Sequence, residues 1–92
     1  MKIYIAGKIT GNDNYKEQFA QAEERLKAEG HTVLNPCKNE GFTYKEYIDM
    51  GLAELSKCDA IYMLKGWQES SGAKLEHEYA RTVGLRMIEE VK

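Results

Sequence analysis

Apolar positions along this chain switch between two spacings, and the switching predicts strands alternating with helices. Lys2-Ile3-Tyr4-Ile5-Ala6, closed by Gly7, is a short apolar run of the kind that fills a buried strand. From Asn12 to Gly30 the spacing becomes helical. Tyr15, Phe19, Ala22 and Leu26 form the stripe, Asn14 with Glu17 has the form of a capping box, and Gly30 supplies the stop. His31 to Leu34 reads as a second strand ended by Asn35-Pro36, followed by a loop from Cys37 to Phe42. Thr43 and Glu46 form another capping box, opening a helix whose apolar side holds Tyr44, Tyr47, Ile48, Leu52 and Leu55. Asp59 to Leu64 is the central strand, Gly72 to Val83 a third helix, and Leu85 to Ile88 a short last strand.

Strands alternating with helices at these spacings imply an α/β fold, because parallel strands need long crossovers and these are almost always right-handed. The expected architecture is one domain over residues 1–92, a small doubly wound, flavodoxin-like or Rossmann-like parallel sheet of about four strands with helices on both faces. A ligand in such a sheet sits beyond the carboxyl ends of the strands where strand order reverses. That crevice would be lined by Gly7 to Gly11 after the first strand and by Lys65 to Gly72 after the third.

The third helix contains an anomaly. Projected at roughly 100° per residue, Ala73, Leu75, Tyr79, Ala80 and Val83 gather on one arc with Glu76 near its centre, while Lys74, His77, Glu78 and Arg81 fall on the other side. A carboxylate on the core-facing arc is costly unless it is paired or hydrogen-bonded. Glu76 is therefore the first candidate for chemistry, against the plainer reading of a buried glutamate bonded for structural reasons.

Composition narrows the partners. With 92 residues, 42% hydrophobic and 30% charged, the chain has the make-up of an ordinary globular domain, and a net charge of −2 leaves no basic footprint for a nucleic-acid polymer. No apolar run is long enough for a membrane span and no signal-peptide pattern opens the chain, so no membrane and a cytoplasmic location are expected. Cys37 and Cys58 lack zinc or redox spacing and read as reduced thiols, and no metal constellation or cofactor motif is present. A core this small favours a homodimer or higher homo-oligomer.

Gly7-Lys8-Ile9-Thr10-Gly11 joins a strand to a helix, where exposed amides and the helix dipole can receive an anion. It is neither a P-loop nor a GxGxxG dinucleotide fingerprint. Taken together, Tyr4-Ile5-Ala6-Gly7-Lys8-Ile9-Thr10-Gly11, Cys58-Asp59-Ala60-Ile61 and Ser70-x-Gly72-x-x-x-Glu76-x-x-x-Ala80 are more specific. With these motifs the sequence resembles the nucleoside 2-deoxyribosyltransferase superfamily, including the deoxynucleoside 5′-monophosphate N-glycosidases, and looks closest to its short, functionally unassigned bacterial and phage members. The resemblance covers nearly the whole chain. It implies a small-molecule nucleoside or nucleotide as partner and Glu76 as the nucleophile that attacks the anomeric carbon, with water or a second base resolving the glycosyl-enzyme. It also implies that Ser70 contacts the sugar or the 5′-phosphate, a serine in the monophosphate glycosidases and an aspartate in the transferases. Substrate contacts are accordingly expected from Gly7, Lys8, Ile9, Gly11, Gly66, Trp67, Ser70, Gly72 and Tyr47.

The chain departs from the resemblance at two points. Where the superfamily often has an aspartate on the second helix, this sequence has Gly51, and Lys8 stands where the monophosphate glycosidases carry a serine. Asp49 is the candidate second carboxyl for protonating the leaving base, with Glu54 as an edge neighbour, although on the projection Asp49 sits on the flank opposite Gly51. Asp59 lies at the amino end of its strand, away from the crevice, and reads as structural. Trp67 could stack on a base or anchor its loop, and Tyr44 and Tyr47 could line the pocket, donate to Glu76, or fill the core. His31 and His77 do not read as catalytic. The leading expectation is hydrolysis or transfer at the N-glycosidic bond of a nucleoside or nucleoside 5′-monophosphate. The alternatives are a catalytically silent nucleotide-binding module and a purely structural partner protein.

Overall fold

The computed structural model describes residues 1–38 and 41–90, so Asn39 and Glu40 of the expected Cys37 to Phe42 loop lie outside the described residues. In chain order it contains β1 (Lys2–Ala6), α1 (Tyr15–Ala28), β2 (Thr32–Leu34), a 3-10 turn (Pro36–Lys38), α2 (Tyr44–Leu55), β3 (Ala60–Met63), a second 3-10 turn (Trp67–Glu69), α3 (Ser71–Val83) and β4 (Arg86–Glu89). All pairings are parallel, in the order β2-β1-β3-β4. The expected α/β fold is what forms. The two short 3-10 turns are additions within segments the sequence pattern leaves as loops.

Strand alternation builds two cores, one on each face of the sheet. Ile3 and Ile5 of β1, with Ala60 and Leu64, pack against Phe19, Ala22 and Leu26 of α1. Tyr4 and Ala6 point the other way, where with Ile61 and Met63 they meet Leu55, Ala73 and Ala80 from α2 and α3. Chain connections leave β1 toward one side and β3 toward the other, so the reversal of strand order lies between the carboxyl ends of β1 and β3. Gly7 keeps the end of β1 tight against α1, since a Cβ there would sit 2.9 Å from Leu64 Cδ1 and 3.2 Å from Phe19 Cζ.

Local signals fare unevenly. Thr43 and Glu46 make the full capping box, each side chain bonding the other's backbone N–H. Asn14 occupies the N-cap of α1 but its side chain makes no capping bond. Asn12 organises that turn instead, its Oδ1 accepting from Asn14 N–H and its Nδ2 donating to Lys8 O and Gln18 Oε1. The α1 helix consequently starts at Tyr15 rather than Asn12. On α3, Ala73, Glu76 and Ala80 are buried, but Leu75 and Val83, placed by the projection on the same arc, are 47% and 51% exposed. The buried face of α3 is narrower than the apolar arc because α3 touches sheet and α2 over only one side.

Thr43→Ala should cost about 1 kcal/mol of stability, the usual worth of an N-cap bond, and Asn14→Ala should cost a few tenths at most. Urea denaturation of the two variants beside the parent checks this, and equal losses would contradict the assignment of Asn12 as the organiser of the α1 turn.

Candidate functional site

At the strand-order reversal the molecule has a cavity of about 690 Å³. Its floor is Tyr4 and Ala6 from β1 and Glu76 and Ala73 from α3. One wall is apolar and aromatic, built from Pro36 and Cys37 after β2 and from Tyr44, Tyr47, Ile48 and Gly51 of α2. The opposite wall is polar, with Glu69, Ser70, Ser71 and Gly72 leading into α3. Gly7, Ile9 and Thr10 close the side toward α1, above Tyr15 and Phe19.

Each wall has a sequence cause. Ser70 leaves the 3-10 turn in extended conformation and caps α3, its Oγ accepting from Ala73 N–H at 3.1 Å. This places Glu76 one and a half turns into the helix with its side chain facing the sheet. Gly72 lets α2 approach, since a Cβ on it would lie 3.0 Å from Ile48 Cδ1 and 3.4 Å from the Tyr44 hydroxyl.

Glu76 is 8% exposed, and its Oε2 accepts a 2.8 Å hydrogen bond from the hydroxyl of Tyr4, itself 1% exposed. Its other oxygen, Oε1, has no hydrogen-bond partner among the described residues. Burial pushes the Glu76 carboxyl up to about 7, the Tyr4 hydrogen bond pulls it down, and the charge of Glu54 adds a smaller upward push. Tyr4 is driven far above the ordinary phenol range, chiefly by burial and then by the neighbouring Glu76 charge, so it acts as a fixed donor. Burial likewise raises the Cys37 thiol to about 12, which keeps it protonated in the cavity wall.

Gly51 lies directly over this pair. A Cβ at position 51 would sit 2.5 Å from Glu76 Oε2 and 2.7 Å from the Tyr4 hydroxyl. The helix α2 can therefore pass over the carboxylate only where it carries no side chain. Gly51 is the space in which the Tyr4–Glu76 bond forms.

Of the residues singled out in the sequence, the cavity brings together Gly7, Ile9, Tyr47, Ser70, Gly72 and Glu76. It leaves out Asp49, which is exposed on α2 and bonded to Lys45 at 2.8 Å, with no contact to the cavity. Lys8 stands outside the lining and pairs with Glu69 at 3.0 Å. Gly11 and Gly66 serve the backbone, with φ of 79° and 90° that side-chain-bearing residues rarely adopt. Trp67 also stands outside the lining. It stacks on His77 with ring centroids 4.3 Å apart, and its buried Nε1 has no hydrogen-bond partner among the described residues. His77 is thus half-buried under Trp67 rather than facing freely outward. Asp59 accepts from Lys2 N–H at 2.9 Å, joining the amino ends of β3 and β1.

The sequence reading missed Tyr4 as the Glu76 donor and Tyr15, Pro36 and Cys37 as lining residues, whereas Thr10 and Glu69 fall within the two segments it placed at the crevice. The signal for Tyr4 was its place in the alternation of β1, on the face opposite Ile3 and Ile5. Among the described residues no group of three His, Cys, Asp or Glu is placed to hold a metal ion, and no helix is long and apolar enough to cross a membrane.

Comparison with known proteins agrees with this architecture. A solved structure of a 2-desoxiribosyltransferase from Leishmania mexicana superimposes with a TM-score of 0.76 at 22% identity, covering 96% of this chain and 62% of that one. The chain thus spans less than two thirds of that protein's length, and the likeness is one of fold. No curated protein matches the sequence. Residues 1–89 match the family model described as a domain of unknown function, DUF4406, and the chain belongs to that family.

Proposed function

We propose that the protein acts on the N-glycosidic bond of a nucleoside or nucleoside 5′-monophosphate, with Glu76 as the nucleophile. The observation that carries this reading is a carboxylate buried at the floor of a cavity, held by one oxygen and open at the other. In the proposed reaction Glu76 Oε1 forms a bond to the anomeric carbon as the carbon–nitrogen bond breaks and its electron pair leaves with the base. The base takes up a proton from solvent; water, or the nitrogen of a second base, then attacks the same carbon, gives its own proton to solvent and returns the carboxylate. Tyr4 holds Glu76 in one rotamer and offsets part of the burial that would otherwise keep it protonated. The apolar wall of Tyr44, Tyr47 and Ile48 suits a base, and the polar wall of Ser70 and Ser71 suits the hydroxyls of a sugar. The likeness in fold to the solved 2-desoxiribosyltransferase supports the same reading.

Position 51 favours a second reading. The superfamily that the sequence resembles often has an aspartate there, whereas here Gly51 leaves no room for one beside Tyr4 and Glu76. A module that binds a nucleotide without turning it over is consistent with that geometry. The two readings separate in one assay: a panel of ribo- and deoxyribonucleosides and their 5′-monophosphates is incubated with the protein, and free base is measured by chromatography.

Glu76→Gln should lower base release by at least about a thousandfold, the scale on which removal of a catalytic nucleophile acts, while binding is kept. Equal turnover by the variant would remove the nucleophile role, and thermal stabilisation by a nucleotide without base release from the parent would establish the binding module. Because attack needs the ionised carboxylate and Glu76 is pushed up to about 7, kcat/KM should rise with pH through about 7 and level off above it. A profile that falls over that window would contradict the assignment. In Gly51→Ala the new methyl group must part Tyr4 from Glu76, costing about 1–3 kcal/mol by urea denaturation. It should also move the activity midpoint to higher pH, because the bond that lowers the Glu76 pKa is lost; an unmoved midpoint would show that the bond does not tune the carboxylate.

A further inference from the structure

Two loops meet at the rim of the cavity through one ion pair. Lys8 Nζ, from the turn after β1, lies 3.0 Å from Glu69 Oε1, from the 3-10 turn after β3. Glu69 belongs to the cavity lining and Lys8 does not, so of the two charged residues the acidic one borders the cavity. The Glu69 side chain is 72% exposed and that of Lys8 29%. A pair this open contributes on the order of 0–1 kcal/mol to stability, so the fold does not depend on it. Its effect falls on whatever enters.

On the glycosidic reading, the make-up of the walls suits one orientation of a substrate. A nucleoside whose anomeric carbon is at Glu76 has its base against the aromatic wall of α2, because that wall offers Tyr44, Tyr47 and Ile48 for stacking and burial. In that orientation the sugar is set along the polar wall, with its 5′ end beside Ser70 and Glu69, which line that wall. A 5′-hydroxyl can donate to the Glu69 carboxylate. A 5′-phosphate meets a like charge and is stabilised only if Lys8 leaves Glu69 for it.

We propose that Glu69 is a specificity-determining residue that sets the choice between a free 5′-hydroxyl and a 5′-phosphate, biasing the site toward the unphosphorylated nucleoside by presenting a carboxylate and occupying Lys8. This rests on the glycosidic-site reading above and deepens it by naming the substrate class. It also opposes the direction in which Ser70 alone would tilt the site.

The test compares the parent, Glu69→Gln and Lys8→Met on matched pairs of 2′-deoxynucleosides and their 5′-monophosphates with each of the common bases. The readout is the monophosphate-to-nucleoside ratio of kcat/KM where base is released, and of binding constants where it is not. Glu69→Gln should raise that ratio about tenfold, the effect of removing a like charge at close range near a protein surface. Lys8→Met should lower it, and both changes should shrink in 1 M salt, where the Debye length falls to about 3 Å. If Glu69 merely steadies Lys8 as a phosphate anchor, Glu69→Gln will leave the ratio unchanged or lower it, and the proposal falls while the glycosidic reading stands. Absence of both turnover and binding for every pair in the parent would overturn the two together.

Discussion

The hydrogen bond from Tyr4 to Glu76 ties the first strand to the third helix across 72 positions of sequence, and the rest of the site is arranged around it. It needs three conditions at once. The alternation of β1 must turn Tyr4 toward α2 and α3 while Ile3 and Ile5 fill the opposite core. The Ser70 cap must start α3 where Glu76 faces the sheet. Finally α2 must cross above the pair without a side chain, which Gly51 provides, and Gly72 lets the two helices approach closely enough to enclose it. A change at any of these positions acts on the same two oxygen atoms.

That bond only partly offsets what burial does to the carboxylate. Glu76 is pushed up to about 7, so between its ordinary value of 4.5 and about 7 the folded chain holds a proton that the unfolded chain has released. Stability therefore falls as pH rises through that window and stays lower above it. A residue selected for packing alone would not be ionised at the cost of the fold, since glutamine or an apolar side chain of similar volume would fill the space. Partners also separate Glu76 from Glu23, the other buried glutamate among the described residues, which accepts from Asn35 and pairs with Lys27 as ordinary structural carboxylates do.

What could be read from the sequence follows from the range of the interaction responsible. The four strands form where their apolar runs lie, three of them with ends shifted by one residue, and the Thr43–Glu46 capping box, which depends on neighbours three residues apart, stands as read. The crevice at the ends of β1 and β3 follows from parallel topology, and Glu76 from a charge on an apolar arc. Tyr4 was hidden because a tyrosine in a buried strand has the same pattern as core, and its partner lies on another element. The Asn14 cap failed through local competition, since Asn12 offers the same turn a longer chain of bonds. Leu75 and Val83 illustrate the limit of a helical projection, which finds an apolar arc but not how much of it a neighbouring layer covers. Trp67 reads as a stacking platform from its position after β3, yet His77, half-buried on α3, is what it stacks on.

The floor and the rim of the cavity are under different constraints. At the floor, Tyr4, Gly51 and Glu76 contact one another within a tightly packed space, so a substitution that alters one must be accommodated by the other two. At the rim, Lys8 and Glu69 meet in a largely solvent-exposed pair whose loss leaves both cores untouched. On the glycosidic reading proposed above, reactivity is coupled to folding, whereas recognition of the substrate's far end falls to side chains that can change at little structural cost. With this division, a fold of this size can keep one buried carboxylate fixed at the cavity floor while the charge at the rim is reset by one or two exposed substitutions.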